Sequence, residues 1–314
     1  MFIVKRLLSA VPTVFIVSLL VFFLVDFIPG DPARMLAGQM ASNEEVAVIR
    51  DSLGLNDPLV VRYGRFLQGM VDPSVMTSFR THRPVAVEIE SRLPNTLIVA
   101  VGGLLVGLLL GTIGGIVCAL RQGGLLDTVI TLLTLAGISM PIYWLGLLCI
   151  WFFAVWLGWL PAAGATTWKH FVLPIMVVAS RPAAMFSRLV TASLLEAMSK
   201  DYLDTARAKG LSETRVILFH ALRNSLIAAI SVIGVQFGAM LGGSVVTETV
   251  FGVPGVGRLL VDSVSSADYP VIQYTILLFS VFFVLINLAT DLLTLWLDPR
   301  ASLQSERGED DYRK

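Results

Sequence analysis

A helix that crosses the hydrocarbon core of a bilayer needs about 20 mostly apolar residues, and this chain supplies such runs one after another. They are Leu7–Ile28, Leu97–Leu120, a stretch within Val129–Leu160, Phe171–Leu189, Leu226–Val246 and Tyr274–Leu297. In lipid the backbone polar groups must be satisfied inside the segment, and runs of this kind satisfy them as helices. The expected fold is therefore an all-α polytopic membrane protein with six transmembrane helices. Charged residues are only 15% of the chain and hydrophobic ones 55%, against roughly 25% charged in a soluble domain. The third run is too long for one straight span. Ser139-Met140-Pro141 divides it into a short lead-in and the span proper. The fourth contains Arg181, Pro182 and Arg188, and Pro182 is expected to break its helix.

Lys5 and Arg6 precede the first run, as in a secretory signal, but Leu7–Ile28 outruns a signal h-region and no A-x-A-like site follows. It reads as a retained first helix. With the N-terminus in the cytoplasm, the inside segments carry Lys5, Arg6, Arg121, Lys200, Arg207, Lys209, Arg215, Arg223, Arg300, Arg307, Arg313 and Lys314. The short outside loops carry Lys169 and Arg258. This is the positive-inside pattern, and a long segment such as 29–96 translocates largely regardless of its arginines. Both termini are expected in the cytoplasm. Four regions follow: 1–28, tail and first helix; 29–96, an external subdomain between helices 1 and 2; 97–300, the core; and 301–314, a cytoplasmic tail. In the subdomain, Ser42-Asn43-Glu44-Glu45 reads as a helix start.

Several function classes recede at this point. Net charge is zero, so no basic field invites nucleic acid. Cys118 and Cys149 sit in apolar runs and read as small hydrophobes. His82, His170 and His220 are scattered, so no metal-ligand spacing exists. A GxxxxGK[ST] phosphate loop is absent, because Gly252–Arg258 lacks the Lys-Ser/Thr. A secondary transporter would show a buried carboxylate or histidine relay, or inverted repeats. A membrane protease would need a Ser/His pair or paired aspartates at depth, for which Asp26 and Asp291 are the sole aspartate pair. Charges within spans (Asp26, Arg181, Arg188, Asp291) are functional candidates by default.

Two runs carry small-residue stripes. Gly103, Gly107, Gly111 and Gly115 recur every four residues in the second span, as do Gly234, Gly238 and Gly242 in the fifth. Each stripe forms a groove where another backbone approaches closely. Tight packing and helix sliding both use such a groove.

The loop between the fourth and fifth spans is the most informative. In Ser199–Gly210, Asp201 is expected to cap a helix and Asp204 to add negative charge to its first turn. Arg207 and Lys209 fall in the last turn, and Gly210 supplies a left-handed stop. Ser212 then caps a second short helix over Glu213–Leu222. The pattern predicts a hairpin of two short helices on the cytoplasmic face.

Asp204-Thr205-Ala206-Arg207-Ala208-Lys209-Gly210, followed by His220-Ala221-Leu222-Arg223-Asn224, resembles the cytoplasmic EAA loop of ABC importer permeases, here within 199–224. Asp204 stands for the usual Glu and Thr205 for the first Ala; Ala206 and Gly210 match. The Pro that often ends the motif is replaced by Ile227-Ala228-Ala229. The resemblance extends to the dipeptide, oligopeptide, nickel and glutathione branch. It rests on Ile28-Pro29-Gly30-Asp31-Pro32, Leu93-Pro94-Asn95-Thr96-Leu97, Glu248-Thr249-Val250-Phe251, Gly252–Arg258, Asp268–Gln273 and Asn287–Arg300. It covers nearly all of 1–300. Val71–Ser78 departs from it.

The resemblance implies a permease subunit of the bacterial inner membrane, with segment 29–96 in the periplasm. It implies a second homologous permease, two cytoplasmic ATPase subunits and an external solute-binding protein as partners. ATP and magnesium would belong to the ATPases, with no cofactor on this chain, which is then no enzyme. The hairpin residues Asp204, Thr205, Ala206, Arg207, Lys209, Gly210 and Arg215 would couple to an ATPase, with Arg207, Lys209 and Arg215 offered to acidic groups there. Arg181, Glu248 and Arg258 are the pathway candidates. Peptides or glutathione are the implied cargo, with nickel or an opine-type solute as alternatives.

Overall fold

The computed structural model describes residues 2–27, 31–38, 40–72 and 75–297, with side chains described except at 2–10, 24–27, 71, 206, 214, 218, 220, 223–231 and 295–297. The tail 301–314 and parts of the motifs at 28–30 and 298–300 lie outside the described residues. Among the described residues every element is helical, apart from one bridge between Thr77 and Pro84. The helices are α1 (Phe2–Phe27), α2 (Pro32–Ala37), α3 (Asn43–Ser52), α4 (Leu59–Val71), α5 (Val85–Glu90), α6 (Leu93–Leu120) and α7 (Leu125–Ser139). Then come α8 (Ile142–Cys149), α9 (Lys169–Met198), α10 (Asp201–Ala208), α11 (Glu213–Arg215), α12 (Leu222–Val250), α13 (Val256–Ser265) and α14 (Tyr269–Leu297). π-helical stretches follow α8 (Ile150–Trp156) and α11 (Val216–Ala221).

By length and composition, α6, α9 and α14 can each cross a membrane. The third run is divided where expected. α7 and the α8–Trp156 helix are together apolar and long enough to cross a membrane, with a bend of 115° between them, because Pro141 has no N–H to continue α7 and restricts Met140 to extended backbone. The expected first and fifth spans coincide with α1 and α12.

α6 and α9 form the central pair, and the first glycine stripe is its seam. A Cβ at Gly107 would lie 2.9 Å from Pro182 Cβ, one at Gly111 2.6 Å from Ala183 O, and one at Gly115 2.7 Å from Ser187 O. A Cβ at Gly103 would meet Met240 and Val178. This seam is backbone against backbone, a packing that any side chain would force apart. It also corrects the expected break at Pro182: α9 runs unbroken through Pro174 and Pro182. The Pro182 ring is held on Gly107, and with no water competing inside a membrane the flanking backbone bonds keep the helix intact. In α12, Gly234 faces Asn287 and Thr290 of α14 and Gly238 faces Phe283, whereas Gly242 opens on empty space.

The segment before α6 has little core of its own. Phe66 of α4 packs with Val21 and Phe22 of α1 and Leu277 of α14. Val85 and Ile89 of α5 pack with Val256 of α13 and Val271 of α14. It is a cap resting on one end of the bundle. α3 begins as expected, with Ser42 and Glu45 forming a reciprocal capping box. The divergent stretch ending at Ser78 is fastened from below. The Asp268 carboxylate accepts from the Ser78 hydroxyl and, at 3.0 Å, from Phe79 N–H.

Candidate coupling and pathway sites

The loop after α9 folds as a turn of helix, a left-handed residue and a second helix. α10 spans Asp201–Ala208, and Gly210 takes φ +80°, a conformation in which a Cβ is strained. Its N-terminal details differ from expectation. Lys200 occupies the cap position with no side-chain cap bond, and Asp201 is the first helical residue. Asp201 and Asp204 still place negative charge in the first turn.

The second helix is not short. α11 passes through the π-helical stretch Val216–Ala221 directly into α12, so the expected end at Leu222 is overturned. The absent proline accounts for it: Ile227-Ala228-Ala229 carries nothing that stops a helix. The hairpin's second arm and α12 are one rod.

The base of the hairpin is apolar and fully packed. Leu203 of α10 and Val216, Ile217 and Ala221 bury against Leu194 and Ala197 of α9 and Ala119 of α6. Its outer side is charged. Arg207 binds Asp204 Oδ1 at 2.8 Å and, through two nitrogens, Glu213 at 2.8 and 3.1 Å. Glu213 first, and Asp204 second, hold the guanidinium above its usual pKa, while Arg207 draws Glu213 below the usual carboxylate range. Arg207, expected to be offered to a partner, is paired within the hairpin in this chain. Its five donors form a fork that suits two carboxylates, and both are supplied from within the hairpin, clamping its arms together. Asp204, Thr205, Lys209, Gly210 and Arg215 are exposed. The Ala206 side chain lies outside the described ones.

The pathway candidates part company. Glu248, at 0% exposure, is no lining residue. Its carboxyl accepts from Thr96 Oγ1 at 2.7 Å and from Arg258 N–H at 2.9 Å. Thr96 Oγ1 in turn accepts from Val256 N–H at 2.8 Å, and Asn95 donates to Pro254 O at 2.9 Å. Gly255 and Gly257 are glycines because a Cβ would lie 2.3 and 2.9 Å from that carboxyl group. Arg258 contributes its backbone only, while its side chain turns toward Asp262, 3.9 Å away. Two motifs about 150 residues apart in sequence therefore build one buried clamp. Thr96 and Asn95 were missed as site residues; the available signal was that Leu93–Leu97 and Glu248–Arg258 each stand out beside a span end. Arg181 is exposed on α9.

The arrangement contains a knuckle packed on α9 and α6 at one end of α12 and a loop pinned to α6 at the other end. Among the described residues, no group of three or more His, Cys, Asp or Glu could hold a metal ion. Such a molecule is a membrane transport component. Residues 107–303 match the family model described as binding-protein-dependent transport system inner membrane component, and residues 1–100 match the N-terminal model of these membrane components. The chain belongs to this family, as an ABC importer permease of the dipeptide and glutathione type. It is similar to the glutathione transport system permease protein GsiC of Escherichia coli (strain K12), with 44% identity over 298 residues covering 95% of this chain and 97% of that protein. The GsiC of Shigella dysenteriae serotype 1 matches to the same extent. Among solved structures, the inward-facing MetNI methionine ABC transporter shares the fold, with TM-score 0.57 and 18% identity over 68% of this chain and 98% of that one.

Proposed function

We propose that this chain forms one half of the translocation pathway of an ATP-driven importer in a bacterial inner membrane, and that its cargo is a small peptide-like solute, glutathione first. The name of the relatives at 44% identity carries the cargo. Di- and oligopeptides follow; nickel and opine-type solutes remain alternatives within the branch. The other half is a second, homologous permease. Two cytoplasmic ATPases, holding ATP and magnesium, take the α10–α11 knuckle, and an external binding protein delivers the solute.

In this reading α1, α6, the bent α7–α8 pair, α9, α12 and α14 are the six spans, both termini are cytoplasmic and α2–α5 lie in the periplasm. Closure of the ATPases shifts the knuckle, and α12 carries that shift across the membrane as a rod. Exposed Lys209, Gly210 and Arg215 meet the ATPase; the Arg207 clamp keeps the knuckle rigid. The test is copurification followed by reconstitution in vesicles. The complex should accumulate glutathione in an ATP- and binding-protein-dependent way, while the chain alone hydrolyses no ATP. ATP hydrolysis by the purified chain alone would end the reading. Reporter fusions after Arg121, Lys200 and Arg300 should report cytoplasm, and near Gly54, Lys169 and Asp262 the outside.

A further inference from the structure

α9 has two unlike faces. One is buried on α6 through Val178, Ala179, Pro182, Phe186 and Val190. The opposite one is an exposed stripe of Arg181, Met185, Arg188, Ala192 and Glu196, at the four-then-three spacing of one helix face. The exposed face of neighbouring α6 is aliphatic throughout its middle: Val101, Leu105, Leu109, Leu110 and Ile113. The α6 face is what lipid solvates. The α9 stripe carries two guanidinium groups instead, Arg181 about 18 Å from the Lys169 end of the helix and Arg188 about 15 Å from the Met198 end. Among the described residues neither Arg181 nor Arg188 has a hydrogen-bond or ion-pair partner. Two unpaired guanidinium groups at membrane depth require water or an anion in front of them.

The stripe has further structure. Between the two arginines stands the thioether of Met185, which Gln236 of α12, itself buried, approaches with its amide nitrogen. The arginines are two turns apart, about 10 Å along the axis. A soft apolar patch is thus flanked by two cations, each able to take a carboxylate in fork geometry.

We infer that Arg181 and Arg188 line the translocation pathway and bind the carboxylates of the passing solute, so that this half of the importer favours peptide-sized solutes with two anionic ends. The inference rests on the permease reading above and does not depend on which such solute is carried. The stripe ends toward the cytoplasm at Glu196, whose negative charge is held by Lys200 at 3.2 Å.

The test uses the complete importer in vesicles, with Cys118 and Cys149 replaced by Ala and a single thiol installed by Arg188→Cys. The probes are two membrane-impermeant methanethiosulfonates, one anionic and one cationic, each scaled to its rate with a free thiol in solution. The thiol at 188 should react, and the anionic reagent should be favoured by about tenfold because Arg181 remains. Arg181→Gln added to it should remove most of that preference, and Arg181→Lys should retain it. A thiol at Leu109 should stay unreactive. A thiol at 188 that resists both reagents, or that shows no anion preference, overturns the inference; so does equal reaction at 109. In the same vesicles, Arg181→Gln and Arg188→Gln should each lower glutathione uptake at least several-fold with the complex still assembled. If the unsubstituted importer takes up no glutathione, the cargo reading falls, and the thiol reactivities still decide the role of the stripe.

Discussion

The molecule fastens a loop to a helix twice, at opposite ends of α12 and by opposite means. At the Leu222 end, Arg207 joins Asp204 and Glu213 in an exposed charge cluster. At the Val250 end, Glu248 is wholly buried and meets neutral donors, among them the Thr96 hydroxyl and the Arg258 N–H. Exposed charge pairs are weakened by solvent and salt, and each contributes little to stability. A buried acceptor surrounded by aimed donors is costly to disturb, since every group left behind is unsatisfied. The knuckle is therefore a joint of moderate, adjustable stiffness on a firm apolar base, and the loop after Val250 is locked.

Removing the lock should have the largest effect. Glu248→Ala leaves Thr96 and the Arg258 N–H without their acceptor in a sealed site, at about 2–4 kcal/mol. Thermal unfolding of the solubilised complex should fall by several degrees, and the loop at 251–258 should become protease-sensitive. Glu248→Gln should not restore it fully, because an amide brings donors to a site already full of donors. A near wild-type melting temperature for both would erase the contrast. Next comes Gly255→Ala, whose new Cβ lies 2.3 Å from the Glu248 carboxyl carbon. Overpacking of that kind costs about 1–3 kcal/mol, read in the same melts.

At the other end, Gly210→Val should cost about 1–2 kcal/mol through the left-handed backbone alone. Nothing lies within 4 Å of its Cβ position, so the loss is conformational rather than steric. The chain should insert normally while uptake and binding-protein-stimulated ATP hydrolysis fall sharply. Full activity in both would remove the knuckle from the mechanism. Arg207→Glu should do less and differently: three like charges open the clamp, and stimulated hydrolysis falls by a factor smaller than for Gly210→Val. High salt should mimic part of this loss in the unsubstituted protein and leave the Glu248 lock untouched. Because Arg207 lowers the Glu213 pKa, that pair's contribution is present above the ordinary carboxylate pKa and is lost as pH falls through the depressed value. The smallest effect belongs to Asp127→Ala. Asp127 accepts from Gly123 N–H at 2.9 Å at the start of α7, an exposed local bond worth about 1 kcal/mol or less, and coupling should be unchanged.

The same contrast separates what the sequence disclosed from what it withheld. The Gly210 turn, the α10 charge distribution and the Ser42 box follow from rules acting within a few residues, and they are present. The tight seam at Gly103–Gly115 was legible as a stripe because its period is that of one helix. The Arg207–Glu213 bond was not legible because that carboxylate lies across the turn, where side-chain direction decides and spacing alone does not. Glu248 was misjudged because Thr96 is remote in the chain, and no local pattern announces a partner that folding brings in. Pro182 is tolerated on account of Gly107 in another helix, which a reading of α9 by itself cannot supply.

The π-helical stretch Val216–Ala221 has a consequence for phase. Among the described residues it is the only irregular backbone between Glu213 and Val250, and a π turn stores one more residue than an α turn. Deleting one residue there would let the stretch close into a regular α turn and leave the knuckle in phase with the rod, whereas a deletion within the regular turns of α12 would swing the knuckle by roughly 100° about the rod axis, presenting Lys209 and Arg215 to the wrong side. A single-residue deletion should thus be tolerated across these six residues and refused in the regular turns of α12.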